Sequence, residues 1–248
     1  MLEDDFNDCL SKAICGHGGS IAYLARASEI SESRISSCIS GKEDPAVINS
    51  LAPHLQLHAG KLLALKSYTP IVNEVLGLKR LVSPFGHLGV NAYIVHYGDT
   101  VLIFDTGTDS SSIHELVPNP TALFITHEHP DHTKGVPEFT HTKIYQPSHF
   151  KHADTLKFGK IQLKVLDVSG HCNPSRAYFI TGLTQPICIV GDSLFAGSIG
   201  KCADPDSYSA ALANIRDHLF SLPSETILCP GHGPMTTIKQ EKLHNPFF

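Results

Sequence analysis

Four short stretches of the chain carry groups able to hold metal ions: Thr126-His127-Glu128-His129-Pro130-Asp131-His132, Gly170-His171, Gly191-Asp192-Ser193 and Pro230-Gly231-His232-Gly233. Together they offer five imidazoles and two carboxylates. Such a set can hold two adjacent divalent ions with a water between them, and ions so placed lower the pKa of that water toward about 7. His127 and His129 are two apart, so in an extended chain they point the same way. Pro130 keeps His129 extended, and Asp131 and His132 then fall where a helix can begin, turned toward a second position. One short loop therefore presents ligand pairs to two neighbouring points. His171, Asp192 and His232 follow at intervals of 39, 21 and 40 residues, each on or beside an expected strand end.

The elements that must position these groups are legible as short apolar or alternating runs at 92–95, 101–104, 122–126, 161–166, 177–180 and 187–190, which predict strands. Asp99 and Gly107 punctuate them. The clearest helix covers 207–222, where Tyr208, Ala211, Leu212, Ile215 and Leu219 share one face before Pro223 ends it. Residues 1 to about 66 have a different texture and read as helices only. Apolar residues recur there at helical spacing: Ile21, Leu24 and Ala25, then Ile35, Cys38 and Ile39, then Ile48, Leu51, Ala52 and Leu55. Ser20 and Ser31 suit N-caps, Pro45 a first turn and Gly41 a helix stop. Residues 66–70 are the expected junction between two domains, 1–66 and 71–248.

Bulk properties narrow the function classes. The 248 residues are 42% hydrophobic and 17% charged, as in an ordinary globular protein. A formal charge of −5 argues against a protein that coats nucleic acid. No apolar run reaches membrane-spanning length, and the acidic start is unlike a signal peptide. Seven Cys without a CxxC pair favour reduced thiols in a cytoplasmic protein.

The seven candidate ligands match the HxHxDH…H…D…H motif of the metallo-β-lactamase superfamily, and the resemblance covers residues 71–248. It is closest to the glyoxalase II-like branch, through Gly191-Asp192-Ser193-Leu194-Phe195, Gly197-Ser198-Ile199-Gly200-Lys201, Pro230-Gly231-His232-Gly233-Pro234 and His244-Asn245-Pro246-Phe247. The resemblance implies an α/β fold, the αββα sandwich. It implies that His127, His129 and His171 bind one metal, that Asp131, His132 and His232 bind a second, and that Asp192 bridges them. Asp131 doubles as the candidate catalytic carboxylate. Zinc is the first expectation for the two ions, with iron or manganese as alternatives. A hydroxide between the ions would attack a small thioester or ester, and a site charge near +1 would stabilise the oxyanion. By the same resemblance Asp105 supports a ligand from outside, and Lys201 and, more weakly, Arg176 hold a substrate carboxylate. Full-length glyoxalase II enzymes continue into a C-terminal helical domain that holds glutathione, whereas this chain ends at Phe248. The expectation is therefore a shorter, less glutathione-specific relative. An iron persulfide dioxygenase-type oxidoreductase is a further alternative on the same fold.

Residues 20–57 resemble the repressor-type helix-turn-helix family. Residues 31–40 would be the recognition helix, offering Arg34 to a guanine edge and Ser33, Ser36 and Ser37 to phosphates. This opens a second reading, a DNA-binding regulator that senses or clears a metabolite, with a homodimer as the expected form, since repressor-type modules generally act as dimers. Against it, residues 1–66 carry six Lys or Arg and eight Asp or Glu, a balance of −2. The other histidines, His87, His96, His114, His141, His149, His152 and His218, are expected to be surface or core residues. Strand alternation points Glu128 away from the site, and Cys172 is expected to be a small buried thiol.

Overall fold

The computed structural model describes residues 1–86 and 89–248, so His87 lies outside the described residues. The chain opens with α1 (Phe6–Gly16), α2 (Ile21–Ser28), α3 (Glu32–Ile39), α4 (Pro45–Leu51) and α5 (Ala59–Ala64). Strands β1 (Leu78–Ser83), β2 (Val90–Tyr97), β3 (Thr100–Phe104), β4 (Ala122–Phe124) and β5 (Ile144–Tyr145) form one sheet in that order. Helix α6 (Ser111–Leu116) lies between β3 and β4, and the four-residue α7 (Pro130–Thr133) follows β4. The second sheet uses β6 (Thr155–Phe158), β7 (Ile161–Asp167), β8 (Arg176–Thr181) and β9 (Ile187–Gly191). A two-stranded ribbon, β10 (Leu194–Phe195) with β11 (Ser198–Ile199), leads to α8 (Pro205–Asn214). Strands β12 (Ile227–Pro230) and β13 (Thr236–Thr237) complete the second sheet in the order β13-β12-β9-β8-β7-β6, and α9 (Ile238–His244) closes the chain.

Alternation along the strands sorts side chains into layers. Tyr93, Val95, Leu102, Phe104 and Phe124 of the first sheet meet Val165, Tyr178, Ile180, Ile187, Ile189 and Ile227 of the second in a core between the sheets. The alternate residues Ala92, Ile94, Ile103 and Leu123 face outward and are covered by Ile113 of α6 and by Phe139. On the far side, Ala177, Cys188, Val190 and Leu228 pack under α8 and the N-terminal helices. The order is helix, sheet, sheet, helix.

The helical start shares this last core. Cys9, Leu10 and Ala13 of α1 lie in one buried cluster with Leu24, Ile35, Ile48 and Leu51, and equally with Val190, Leu194, Ile199, Tyr208, Ala211 and Phe247. Gly16 lets α1 approach α8, since any side chain there would run into the Tyr208 ring. Residues on both sides of 66–70 thus bury their apolar faces against each other. Truncating a fully buried leucine in this seam, Leu10 for instance, should cost about 2–5 kcal/mol.

Local signals explain the helix ends. Ser20 Oγ accepts from Tyr23 N, and Asp44 accepts from Ala46 N and Val47 N ahead of Pro45. The helix expected at 207–222 begins earlier, because Asp204 caps it through Ser207 N and Pro205 supplies the first turn. It stays α-helical to Asn214 and widens into a π-helical turn over Ile215–Leu219.

Candidate metal centre

The candidate ligands gather where the parallel strands end. Strands β3 and β4 run parallel, as do β9 and β12, and the chain leaves the last three of these toward His127, Asp192 and His232. The loop after β4 is tied across the sandwich by Tyr178 Oη donating to Ile125 O (2.7 Å) and Arg176 N donating to Thr126 O (2.8 Å). Gly231 N donates to Gly191 O (2.9 Å) and Asn91 N to Gly231 O (2.7 Å), which holds the two loops of the second sheet in register. Gly231 must lack a side chain: a Cβ there would collide with Asp192 Oδ1 and the His132 ring.

Four of the five imidazoles are oriented from behind. His132 Nδ1 donates to Asp105 Oδ2 (2.8 Å), His171 Nδ1 to Lys201 O (2.7 Å) and His232 Nδ1 to Gly89 O (2.9 Å). Thr126 Oγ1 donates to Asp105 Oδ2 (2.8 Å) and so accepts from His127 Nδ1 (3.0 Å). Asp105 reaches this position with φ of +57°, a left-handed conformation that an Asp tolerates better than most residues, and also accepts from Thr126 N (2.8 Å). With Nδ1 so held, these four rings turn Nε2 toward a common basin. His129 turns its Nδ1 inward, 3.1 Å from His127 Nε2 and 3.0 Å from His171 Nε2.

Three ligand groups can be drawn in the basin, His127-His129-His171, His127-His132-Asp192 and Asp131-His132-His232, with the ligand atoms of each within 4.8 Å of one another. Asp192 links them. Its Oδ1 is 3.2 Å from His132 Nε2, and its Oδ2 is 3.4 Å from His232 Nε2, 3.7 Å from His171 Nε2 and 4.0 Å from His127 Nε2. Asp131 Oδ2 lies 3.1 Å from His232 Nε2 and 3.7 Å from His132 Nε2. The residues fit a pair of divalent ions. His132 Nε2 and Asp192 Oδ1 are buried without a hydrogen-bond partner among the described residues. In the first group His129 Nδ1 stands 3.1 and 3.0 Å from the other two nitrogens, slightly closer than the roughly 3.3 Å between tetrahedral ligands at about 2.0–2.1 Å from an ion.

Without ions the basin is electrostatically uneven. Burial, aided by the neighbouring His132 ring, drives His127 down to about 2, and burial also lowers His171. Burial likewise disfavours charge on His232 and His132, but the surrounding carboxylates outweigh it: Asp131 and Asp192 raise His232 to about 10, and Asp192 and Asp105 raise His132. Burial would raise Asp192 too, yet His132 and His232 hold it well below the usual carboxylate range.

The other expected site residues are dispersed. Lys201 is exposed, and what reaches the basin is its main-chain carbonyl, on His171. Arg176 directs Nη1 to Asp167 Oδ1, Ser169 Oγ and Ser175 O, and Nε to Phe150 O, and so braces β8 against the preceding loop. On α3, Ser33, Ser36 and Ser37 are exposed, but Arg34 is paired with Asp44 (2.7 Å) rather than free to reach a base edge. Glu128 is exposed and turned away, and Cys172 is half-buried rather than buried. His96, His141, His149 and His152 are exposed, while His114 stacks on Phe139 and His218 lies against His152.

Three residues border the basin without any sequence signal for it. The Phe195 ring stands 5.9 Å from the His232 ring, Lys12 Nζ rests 5.1 Å above Phe195, and Glu3 packs on Gly233. Burial raises the Glu3 carboxyl to about 7 against the pull of His232. Lys12 and Glu3 reach these neighbours from more than 180 residues away, so no local spacing announces them.

The sequence profile of the metallo-beta-lactamase superfamily matches residues 85–171. The hydroxyacylglutathione hydrolase GloC of Haemophilus influenzae is 35% identical over 179 residues, covering 69% of this chain and 76% of that one. The probable metallo-hydrolase YqgX of Bacillus subtilis is 27% identical over 201 residues, covering 66% of this chain and 94% of its own. Among solved structures, a protein in a di-iron-bound form matches with a TM-score of 0.55 at 27% identity, over 68% of this chain and 100% of that one. Profile, sequence relatives and fold agree with the geometry of the basin, and the chain belongs to the metallo-beta-lactamase superfamily.

Proposed function

We propose that the chain is a hydrolase that holds two divalent ions and cleaves a small ester or thioester. One observation carries this reading: seven side chains from four loops turn their acceptor atoms into one basin, each imidazole but His129 with its other nitrogen held on an oxygen behind it. The likeness to a hydroxyacylglutathione hydrolase supports the reaction class. In this reading His127, His129 and His171 hold one ion, Asp131, His132 and His232 the other, and Asp192 serves both.

Bound divalent ions would supply Lewis acidity for the carbonyl and lower the pKa of a water to near neutrality. The chain's residues do the remainder. Asp105 keeps one His132 proton on Nδ1, and the Lys201 and Gly89 carbonyls do the same for His171 and His232, so Nε2 is the nitrogen each ring presents to an ion. Asp131, at the rim of its half, is the carboxylate assigned to steer the attacking water. Lys201 is assigned to an anionic group of the substrate on the His171 side. Zinc is the first choice of ion on the imidazole-rich donor set, and the di-iron relative makes iron the second. The helical start is read as a cover for the metal end rather than a DNA reader, supported by its shared core and by the Arg34–Asp44 pair.

The test is metal analysis of the purified chain followed by thioester and ester turnover before and after chelation. About two equivalents of metal, with turnover that disappears on chelation and returns on reloading, are expected. A well-folded chain that takes up no metal would refute the reading.

A further inference from the structure

The N-terminal segment contributes a group to the basin that the metal-binding pattern does not use. Gly233, next to His232, has φ of +71° and no side chain, and Glu3 occupies the space this leaves. The Glu3 backbone N and Cβ lie 3.2 and 3.3 Å from where a Gly233 Cβ would stand. Glu3 Oε2 is buried and has no hydrogen-bond partner among the described residues. The nearby cations are engaged elsewhere. Lys12 Nζ donates to Asp4 and to Ile199 O (2.8 Å), and Arg80 Nη1 donates to Gly233 O (3.1 Å). The anchored Lys12 fixes the segment, because its ammonium also sits over the Phe195 ring that faces His232.

A carboxylate withdrawn from water without a donor is unfavourable until one arrives. The cations that hold the segment in place point their observed hydrogen bonds at Asp4, Ile199 O and Gly233 O rather than at Glu3, which leaves its carboxylate open to a donor carried by a ligand. Resting on the hydrolase reading above, we propose that Glu3 is a specificity-determining residue: its carboxylate receives an ammonium or other N–H donor on the part of the substrate that lies over His232. The Glu3 end of the basin thus selects substrates by sign, and a substrate with a carboxylate at that end is rejected.

The test uses the full-length, zinc-loaded chain with measured zinc content and the p-nitrophenyl esters of 3-aminopropanoic, butanoic and succinic acids, which place an ammonium, a methyl or a carboxylate at the same reach. In wild type kcat/KM should favour the ammonium ester over the neutral one by about 10- to 100-fold, the size of one charge-assisted hydrogen bond. Glu3→Gln should remove that preference, Glu3→Asp should keep its sign, and Glu3→Lys should turn it toward the succinate ester, all with the zinc content of wild type. An unchanged preference in Glu3→Gln, or a wild type that prefers the succinate ester, overturns the proposal. Loss of zinc from Glu3→Gln overturns it too, by making Glu3 a ligand. If wild type turns over none of the three esters, the hydrolase reading has failed separately. Calorimetric binding of 3-aminopropanoate and butanoate to the zinc-loaded protein then decides: a preference for the amine that Glu3→Gln abolishes supports the role, and equal binding refutes it.

Discussion

The two halves of the basin are made of different chemistry. His127, His129 and His171 offer nitrogen only, and the outer partners in the structure are a threonine hydroxyl and a main-chain carbonyl. Asp131, His132 and His232 mix nitrogen with carboxylate, and His132 is backed by the full charge of Asp105. Imidazole suits zinc and iron, while carboxylate broadens a site toward harder ions. The halves also differ in protons. Before any ion binds, burial drives His127 down to about 2 and lowers His171 as well, whereas in the mixed half the carboxylates keep His232 protonated up to about 10. The two ions should therefore enter with different selectivity and different proton release, with Asp192 coupling them.

The largest expected effect comes from removing that coupling. Asp192→Asn should take metal content from two equivalents to below one and lower turnover by more than about 100-fold, since ligand loss exceeds the effect of losing an outer partner. Unchanged metal content by elemental analysis would show that Asp192 bridges nothing. Next, His129→Ala and His232→Ala should each leave one equivalent, but in different halves. With cobalt as a reporter the survivor should be the mixed site in the first variant and the nitrogen site in the second, and identical spectra would erase the distinction. Asp105→Asn should weaken metal binding about 10- to 100-fold, and in the mixed half first, because it is His132 that loses its partner.

A smaller effect separates the halves by pH. At pH 7 an ion entering the mixed half must displace the proton that Asp131 and Asp192 hold on His232, against the opposing effect of burial; His127 has none to give. Calorimetric loading in buffers of different ionisation enthalpy should show more proton release for the ion of the mixed half, where His232 and His132 are both raised, than for the other. The release should fade as pH rises through about 10, the value at which metal-free His232 loses its proton. Equal release for both ions would contradict the asymmetry. Smallest of all, Lys201→Ala should leave metal affinity unchanged, because the group on His171 is the main-chain carbonyl. It should raise KM for an anionic ester by a few-fold at most, as befits an exposed charge.

How much of this was legible in the chain depends on range. The His127–His132 loop was, because two-residue alternation followed by Pro130 dictates which way each side chain turns, and the strands that carry it have unmistakable apolar runs. Asp105 was legible only through family resemblance, as nothing local marks its left-handed backbone. The Arg176 ion pair was not legible, because a basic residue near a ligand loop reads as a substrate anchor and nothing in the local spacing announces Asp167 beside it. The start of α8 was displaced because Asp204 and Pro205 are stronger start signals than the apolar stripe that follows. The shared core of the N-terminal helices, and with it Glu3 and Lys12, arises from contacts more than 180 residues apart along the chain, such as Lys12 with Ile199. Periodicity describes which face of a helix is apolar, not what covers it.

The most direct test of the account is a crystal of the metal-loaded chain with anomalous differences collected at the zinc and iron absorption edges. The account predicts two peaks in the basin, one ligated by His127, His129 and His171, the other by Asp131, His132 and His232, with the Asp192 carboxylate touching both. A single peak, or peaks that leave either histidine group without an ion, would contradict it.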